Sequence, residues 1–302
     1  MENLVVKEEK KQRRIGKKVN LEPKPMTIDE VFFADVEKIP AKEVMPNFVF
    51  ESYNSHLIKI KQRLGDVIVN NCSENYLLIP NKEIFPAIED GFKQFHKKVE
   101  IKREIKNNSQ FYTEYRFDSK EDRHIIKEND ILIPKIIIQN SYNGRLNYGI
   151  RGGFYRFICE NGLTMPVSDF SFNISISHCE NNLKKIVAST IENVNSFLNN
   201  SKQIFKKFEE LCQSKVGESD LEDLVENILS STNYLLSKKN DIISRIKEEN
   251  VTEGVEYNLW NVYNGINYYL QPAHNSYLTA AADVRDKMDT KILDFIYENL
   301  VA

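Results

Sequence analysis

From Ile131 to Cys159 the chain reads ILIPKIIIQNSYNGRLNYGIRGGFYRFIC, with no aspartate or glutamate and four cations, Lys135, Arg145, Arg151 and Arg156. The apolar run Ile136-Ile137-Ile138 leads into Asn143-Gly144, a dipeptide favoured in type I′ turns because both central residues need φ > 0. A second β-type run follows from Arg145 to Ile158. Two such runs around such a turn predict a long antiparallel hairpin. No other stretch constrains the fold as tightly.

Alternation along the return strand puts Leu146, Tyr148 and Ile150 on one face and Arg145, Asn147 and Arg151 on the other. Gly152-Gly153 interrupts the pattern. A bulge there shifts the phase and brings Arg156 to the polar face. Without one, Phe154 stays on the apolar face and Arg156 points into the core, costly for an unpaired guanidinium. The expectation is therefore a bulge, with Arg145, Asn147, Arg151, Phe154 and Arg156 facing outward. Cations interleaved with an exposed aromatic are the ingredients of a single-stranded nucleic-acid surface. The competing reading is an ordinary sheet with one solvated face.

The flanking segments supply the rest of an α+β fold. Thr27 with Glu30 three residues on matches a capping box before a short helix. Tyr53, Leu57, Ile60 and Leu64 recur at helical spacing before Gly65, which predicts a helix over 52–64. A strand is expected between Val67 and Ile79, broken near Asn70 to Asn75. Asn81 opens a helix to Lys97 with Ile84, Ile88, Phe92 and Phe95 as its stripe. Val99, Ile101, Arg103 and Ile105, then Phe111, Thr113, Tyr115 and Phe117, alternate with charged residues of both signs. With the hairpin and the strand Phe170 to His178 they make an antiparallel meander of about five strands, Glu160-Asn161-Gly162 turning between the last two. From Asn182 the periodicity is helical throughout: one helix past Leu211, a second to about Glu249, then Tyr257 to Leu270 and Tyr277 to Leu300. The organisation is thus a basic arm over 1–25, a sheet domain over 26–180 and a helical domain over 181–302 packed on it.

Charge is distributed unevenly. The whole chain carries only −3, so any attraction for a polyanion is local. Residues 1–25 hold eight Lys and Arg against four Glu, while Val216 to Glu256 holds ten acids against four bases. The arm reads as solvated or touching nucleic acid, and the acidic helices as a protein-contact surface. The four cysteines, Cys72, Cys159, Cys179 and Cys212, form no CxxC pair, which argues against a zinc ribbon or disulfide scaffold. Neither a signal-peptide pattern nor a membrane-length apolar run is present. The expected setting is a reducing cytoplasm.

Catalytic motifs are missing. Gly152-Gly153 lacks the lysine and following helix of a phosphate loop, and the glycines near it sit in strands rather than at a helix start. His178 and Cys179 are neighbours on a strand and point apart, so no metal is expected there. Asp283, Asp286 and Asp289 repeat along one helix and read as a solvated acidic face. Asn261, Asn264 and Asn267 drift along one flank of a helix beside Trp260, although asparagine is a mediocre helix former. They form a candidate polar site, either amides pinning the helices to the sheet or a ligand site. No cofactor and no metal are expected, and the chain reads as a binding protein rather than an enzyme.

Three blocks carry a resemblance. Ser73 to Glu83 (SENYLLIPNKE), Asn140 to Leu163 (NSYNGRLNYGIRGGFYRFICENGL) and Leu259 to Leu270 (LWNVYNGINYYL) resemble the family catalogued as domain of unknown function 932. The family is carried by phages and other mobile elements, so the resemblance implies a phage or prophage protein working in a bacterial host cytoplasm. It implies no catalytic residues. A meander followed by helices is also similar, in topology alone, to single-strand annealing proteins. The resulting expectation is non-catalytic single-stranded nucleic-acid binding in replication or recombination. Lys135, Arg145, Arg151 and Arg156 would meet phosphates, Asn147 would lie among them, and Phe154 or Tyr155 would stack on bases. The alternative is a factor that engages a host or virion protein through its acidic helices. Self-association is left open by both.

Overall fold

The computed structural model describes residues 25–95, 98–127, 130–156, 162–164, 173–176, 182–233, 236–253, 256–270 and 282–301. The fold is α+β and its strands pair antiparallel. A small sheet joins β1 (Val36–Pro40), β2 (His56–Ile60) and β3 (Val67–Cys72) in that order. The large sheet runs β10 (Asn173–Ile176), β8 (Tyr148–Arg156), β7 (Asp130–Ser141), β5 (Gln110–Phe117) and β4 (Val99–Lys106). Two short strands, β6 (His124–Lys127) and β9 (Gly162–Thr164), pair with the ends of β7 and β8. The five-strand meander expected from alternation is therefore present.

Eight helices are described: α1 (Ile28–Phe32), α2 (Ala41–Val44), α3 (Asn81–Phe95), α4 (Leu183–Gln213), α5 (Leu221–Thr232), α6 (Lys239–Glu253), α7 (Leu259–Leu270) and α8 (Ala282–Asn299). Thr27 and Glu30 form the anticipated capping box of α1. Asn182 starts α4 by accepting from the Lys184 N–H. Ile84, Ile88 and Phe92 bury the stripe of α3, but Phe95 at its end is exposed. One apolar cluster links both halves of the chain, from Phe32 and Ile58 through Ile136 and Phe154 to Trp260 and Ile296.

Four local expectations are corrected. Residues 52–64 are not a helix: a single 3-10 turn at Ser52–Asn54 gives way to β2. Leu57, Ile58 and Ile60 are buried there, and pairing to strands on both sides outweighs the helical spacing of Tyr53, Leu57, Ile60 and Leu64. Gly65, at φ 130°, turns a hairpin instead of ending a helix. The long second helix is also two helices, because Asn233 takes left-handed backbone at the end of α5.

The turn after β7 is the third correction. Gly144 has φ 68°, but Asn143 does not share the left-handed region, so no type I′ turn forms. Instead the Asn143 side chain accepts from the Arg145 N–H, and Ser141 Oγ bonds the backbone of Leu146. Paired left-handed asparagines occur at Asn107 and Asn108, in the β4–β5 connection.

The fourth correction concerns the bulge. β7 and β8 pair without a slip from Leu132 opposite Arg156 to Gln139 opposite Gly149. Gly152 has a different use. A Cβ there would lie 3.0 Å from the Phe197 ring, so glycine admits α4 against the sheet. The arm over 1–24, the turn at 160–161 and the pair His178-Cys179 lie outside the described residues.

Candidate functional site

An unbroken β8 assigns its side chains to two faces by parity. Tyr148, Ile150, Gly152, Phe154 and Arg156 face the helices; Gly149, Arg151, Gly153 and Tyr155 face the other way. Arg145 and Asn147 lie in the turn before β8, where alternation does not assign a face. Leu146 between them packs against Tyr112 and Ile137 on the second face, not beside Tyr148 and Ile150 as the alternation predicts. The β7 partner of Gly153 is Lys135, so Lys135 shares that face. The proposed contact set is thus divided: Lys135, Arg151 and Tyr155 on one face, Phe154 and Arg156 on the other, and Arg145 and Asn147 in the turn at the end of the hairpin.

The expectation that all of them look outward is therefore corrected. Phe154 is fully buried, with its ring 4.7 Å from Phe205 and 5.6 Å from Phe197. Arg156 is also fully buried. Its Nε and Nη2 donate to the two carboxylate oxygens of Asp130, each at 2.8 Å, and Nη2 also lies 2.7 Å from Glu249. Asp130 further accepts from the Trp260 indole N–H at 2.8 Å, and the guanidinium sits 5.7 Å from the Trp260 ring. A buried guanidinium is tolerable only when paired and hydrogen-bonded. Here acids from β7 and α6 meet that condition, so no bulge is needed to expel it.

On the second face, Lys135, Arg151 and Tyr155 are buried, whereas Arg145 and Asn147 at the loop end are exposed. Arg151 donates to Gln139 Oε1 at 2.8 Å. The Arg116 guanidinium lies 3.7 Å over the Tyr155 ring and donates from Nε to Glu114 at 2.5 Å. Glu114 is fully buried and its Oε2 has no hydrogen-bond partner. Glu114 and Arg116 belong to this face by the alternation of β5, but their mixed charge reads in sequence as cross-strand pairing.

The α7 asparagines are all buried. Asn264 Nδ2 donates to the Trp260 carbonyl, and Asn267 Nδ2 donates to Asp289 on α8 at 2.8 Å. Tyr263 also donates to Asp289, at 2.7 Å; burial lifts its phenol well above the ordinary value and keeps the proton on it. The Asn267 and Tyr263 bonds tie α7 to α8, not helix to sheet, and the Asn264 bond stays within α7. Asp289 is an interior acceptor, not part of a solvated acidic face. Asn261 has no partner for either amide atom, and the Oδ1 atoms of Asn264 and Asn267 are likewise unpartnered.

Sequence reasoning overlooked Asp130, Glu249 and Trp260 as partners of Arg156. The signal available was a lone acid, Asp130, at the head of an otherwise apolar strand. Among the described residues no group of three His, Cys, Asp or Glu side chains is placed to hold a metal, and no helix is long and apolar enough to cross a membrane.

No solved structure matches the chain. The family described as Domain of unknown function (DUF932) matches residues 69–292, a span that takes in the large sheet, the Arg156 network and α7. The chain belongs to that family.

Proposed function

We propose that the chain binds single-stranded nucleic acid without catalysing a reaction, along the sheet face that carries Arg151, Tyr155 and Lys135 and the turn beside it that holds Arg145 and Asn147. The observation behind the reading is that Lys135, Arg151 and Tyr155 share one side of the hairpin, with Arg116 stacked over Tyr155 beside them. Arg151 and Lys135 are buried, so first contact falls to the exposed Arg145 and Asn147. Cations along the track would meet phosphates, and the Arg116–Tyr155 pair offers a flat cationic platform for a base. Arg156 and Phe154 belong to the core and take no part. A role in replication or recombination of a phage or other mobile element is the setting that the family resemblance suggests.

Fluorescence anisotropy with a labelled single-stranded oligonucleotide, titrated across salt, tests this. Three phosphate contacts give a slope of log K against log salt near about −2 for single strands. Arg145→Ala with Arg151→Ala is expected to weaken binding at least about tenfold and to flatten that slope by about 1. Absence of binding at low salt, or indifference to the double variant, overturns the reading. A stable protein complex without nucleic-acid affinity would favour the acidic helices instead, where Glu222, Asp223 and Glu226 of α5 face solvent.

A further inference from the structure

Asparagine followed by glycine is the pair in which a backbone nitrogen attacks the preceding side-chain amide most readily, because glycine has no Cβ to hinder the approach. The pair occurs three times, at Asn143-Gly144, Asn161-Gly162 and Asn264-Gly265. Asn161 lies outside the described residues, and the other two pairs stand in opposite surroundings. Asn143-Gly144 lies in the turn between β7 and β8, with Asn143 half-buried and Gly144 and Arg145 exposed. Gly144 takes φ 68°, and no backbone carbonyl of a described residue accepts from its N–H. The Asn143 carboxamide folds over it: Oδ1 accepts from the Arg145 N–H at 3.1 Å, closing a ring that includes the Gly144 nitrogen. A donor at that oxygen polarises Cγ and would stabilise the negative charge of a tetrahedral adduct there.

Asn264-Gly265 is closed to the same chemistry. It lies inside α7, where the Gly265 N–H is committed to the helical hydrogen-bond ladder. Asn264 is 1% exposed, and its Nδ2 donates to the Trp260 carbonyl at 2.7 Å. A Cβ on Gly265 would lie 2.3 Å from Ile246 Cγ1, so the side chains of α6 leave no room for a new ring. Neither solvent base nor water reaches this pair.

We infer that Asn143-Gly144 is a self-modification site, deamidating through a succinimide in the folded protein while Asn264-Gly265 keeps its amide. The Gly144 nitrogen, having lost its proton to solvent base, attacks Asn143 Cγ and closes the imide ring. The bond from Cγ to Nδ2 then breaks, and ammonia leaves with a proton from solvent. Water opens the ring at either carbonyl. Breaking the Cγ–N bond gives aspartate, and breaking the backbone C–N bond gives isoaspartate, in which the chain continues through Cγ. Both products carry a carboxylate beside Arg145. On the nucleic-acid reading of this hairpin, on which this consequence alone rests, the new charge neutralises the exposed arginine that makes first contact. The turn would thus lose affinity for a polyanion as the protein ages.

The full chain held in mildly alkaline heavy-oxygen water, then digested in ordinary water and mapped by mass spectrometry, decides this. Residue 143 is expected to appear as labelled aspartate and isoaspartate, and to convert faster as pH rises. Its conversion should be at least about tenfold faster than that of Asn264, a difference of about 1.4 kcal/mol in barrier. In concentrated urea the two pairs should convert at similar rates, since the fold alone separates them. Equal rates in the folded protein overturn the inference, and so does conversion at residue 143 without isoaspartate. Anisotropy with a single-stranded oligonucleotide should then show a salt slope shallower by about 1 for the aged protein than for the fresh. Fresh protein that binds no oligonucleotide overturns the nucleic-acid reading alone, because the mass readout does not depend on it.

Discussion

Arg151 and Arg156 stand on one strand and point into different surroundings. Arg156 faces the helices, where Asp130, Glu249 and the Trp260 ring enclose it. Arg151 faces away from them and donates to the amide oxygen of Gln139. The two lie an odd number of positions apart on an unbroken strand and so point to opposite faces, and that parity sends Arg156 to the buried acids. The difference teaches that arginine content says little about an interface until the strand phase is known. The acids that neutralise one of these arginines come from another strand and from a helix in the other half of the chain.

The sharpest way to break the comparison is Arg156→Met. It leaves Asp130 and Glu249 buried without their cation, and removing one partner of such a pair costs about 3–5 kcal/mol. Urea denaturation is expected to show that loss, whereas Arg151→Met should cost less because Asp130 and Glu249 keep their cation. Equal losses would mean that the two faces are energetically alike, and the division drawn here would fail.

A smaller effect sharpens the same point on α7. Trp260 and Tyr263 spend their donors on Asp130 and Asp289, whereas Asn261 beside them has neither a donor nor an acceptor for its amide. A buried polar group without a partner is a cost of about 1–3 kcal/mol, and its replacement by an apolar group of similar shape is neutral or stabilising. Asn261→Leu is therefore expected to hold or raise the melting temperature, while Tyr263→Phe lowers it. A clear loss of stability in Asn261→Leu would show that the amide has a partner in solution.

How far the sequence revealed this arrangement depended on whether the deciding partner was near in the chain. The meander, the α1 capping box, the start of α4 and the existence of α7 follow from alternation, capping residues and helical spacing, all short-range signals. Residues 52–64 misled because Tyr53, Leu57, Ile60 and Leu64 satisfy a helical period while the chain pairs β2 on both sides. Gly152-Gly153 misled for a related reason. The pair reads as a strand interruption, but Gly152 exists for Phe197 on α4, far along the chain. At the candidate site, the side of the strand occupied by Arg151 was legible from alternation, but the turn residues before it were not, and Leu146 packs on the side opposite to its expected one. The fate of Arg156 was not, since it turns on Asp130 across the hairpin and Glu249 in the helical half.

His124 offers the mildest test of the same contrast, because here a basic group is kept uncharged rather than paired. Its ring stacks on Phe205 of α4, centroids 3.5 Å apart and nearly parallel. Burial, reinforced by the nearby Lys202 charge and only partly opposed by Asp122, holds its pKa down to about 4 against an ordinary 6.5. Between those values the unfolded chain binds a proton that the folded chain refuses, so stability must rise with pH through that window. The stabilisation is complete above about pH 6.5, is lost as pH falls towards 4, and changes no further below that. The ring is only half-buried, so solvent screening keeps the effect below those of the preceding variants. Carboxylates titrate over part of the same range, and the wild type alone would not separate them. His124→Phe keeps an aromatic ring against Phe205 and removes the titration. The difference in urea midpoint between wild type and this variant is therefore expected to grow as pH drops from neutral towards 4. A constant difference across that range would mean that the ring is solvated and titrates normally.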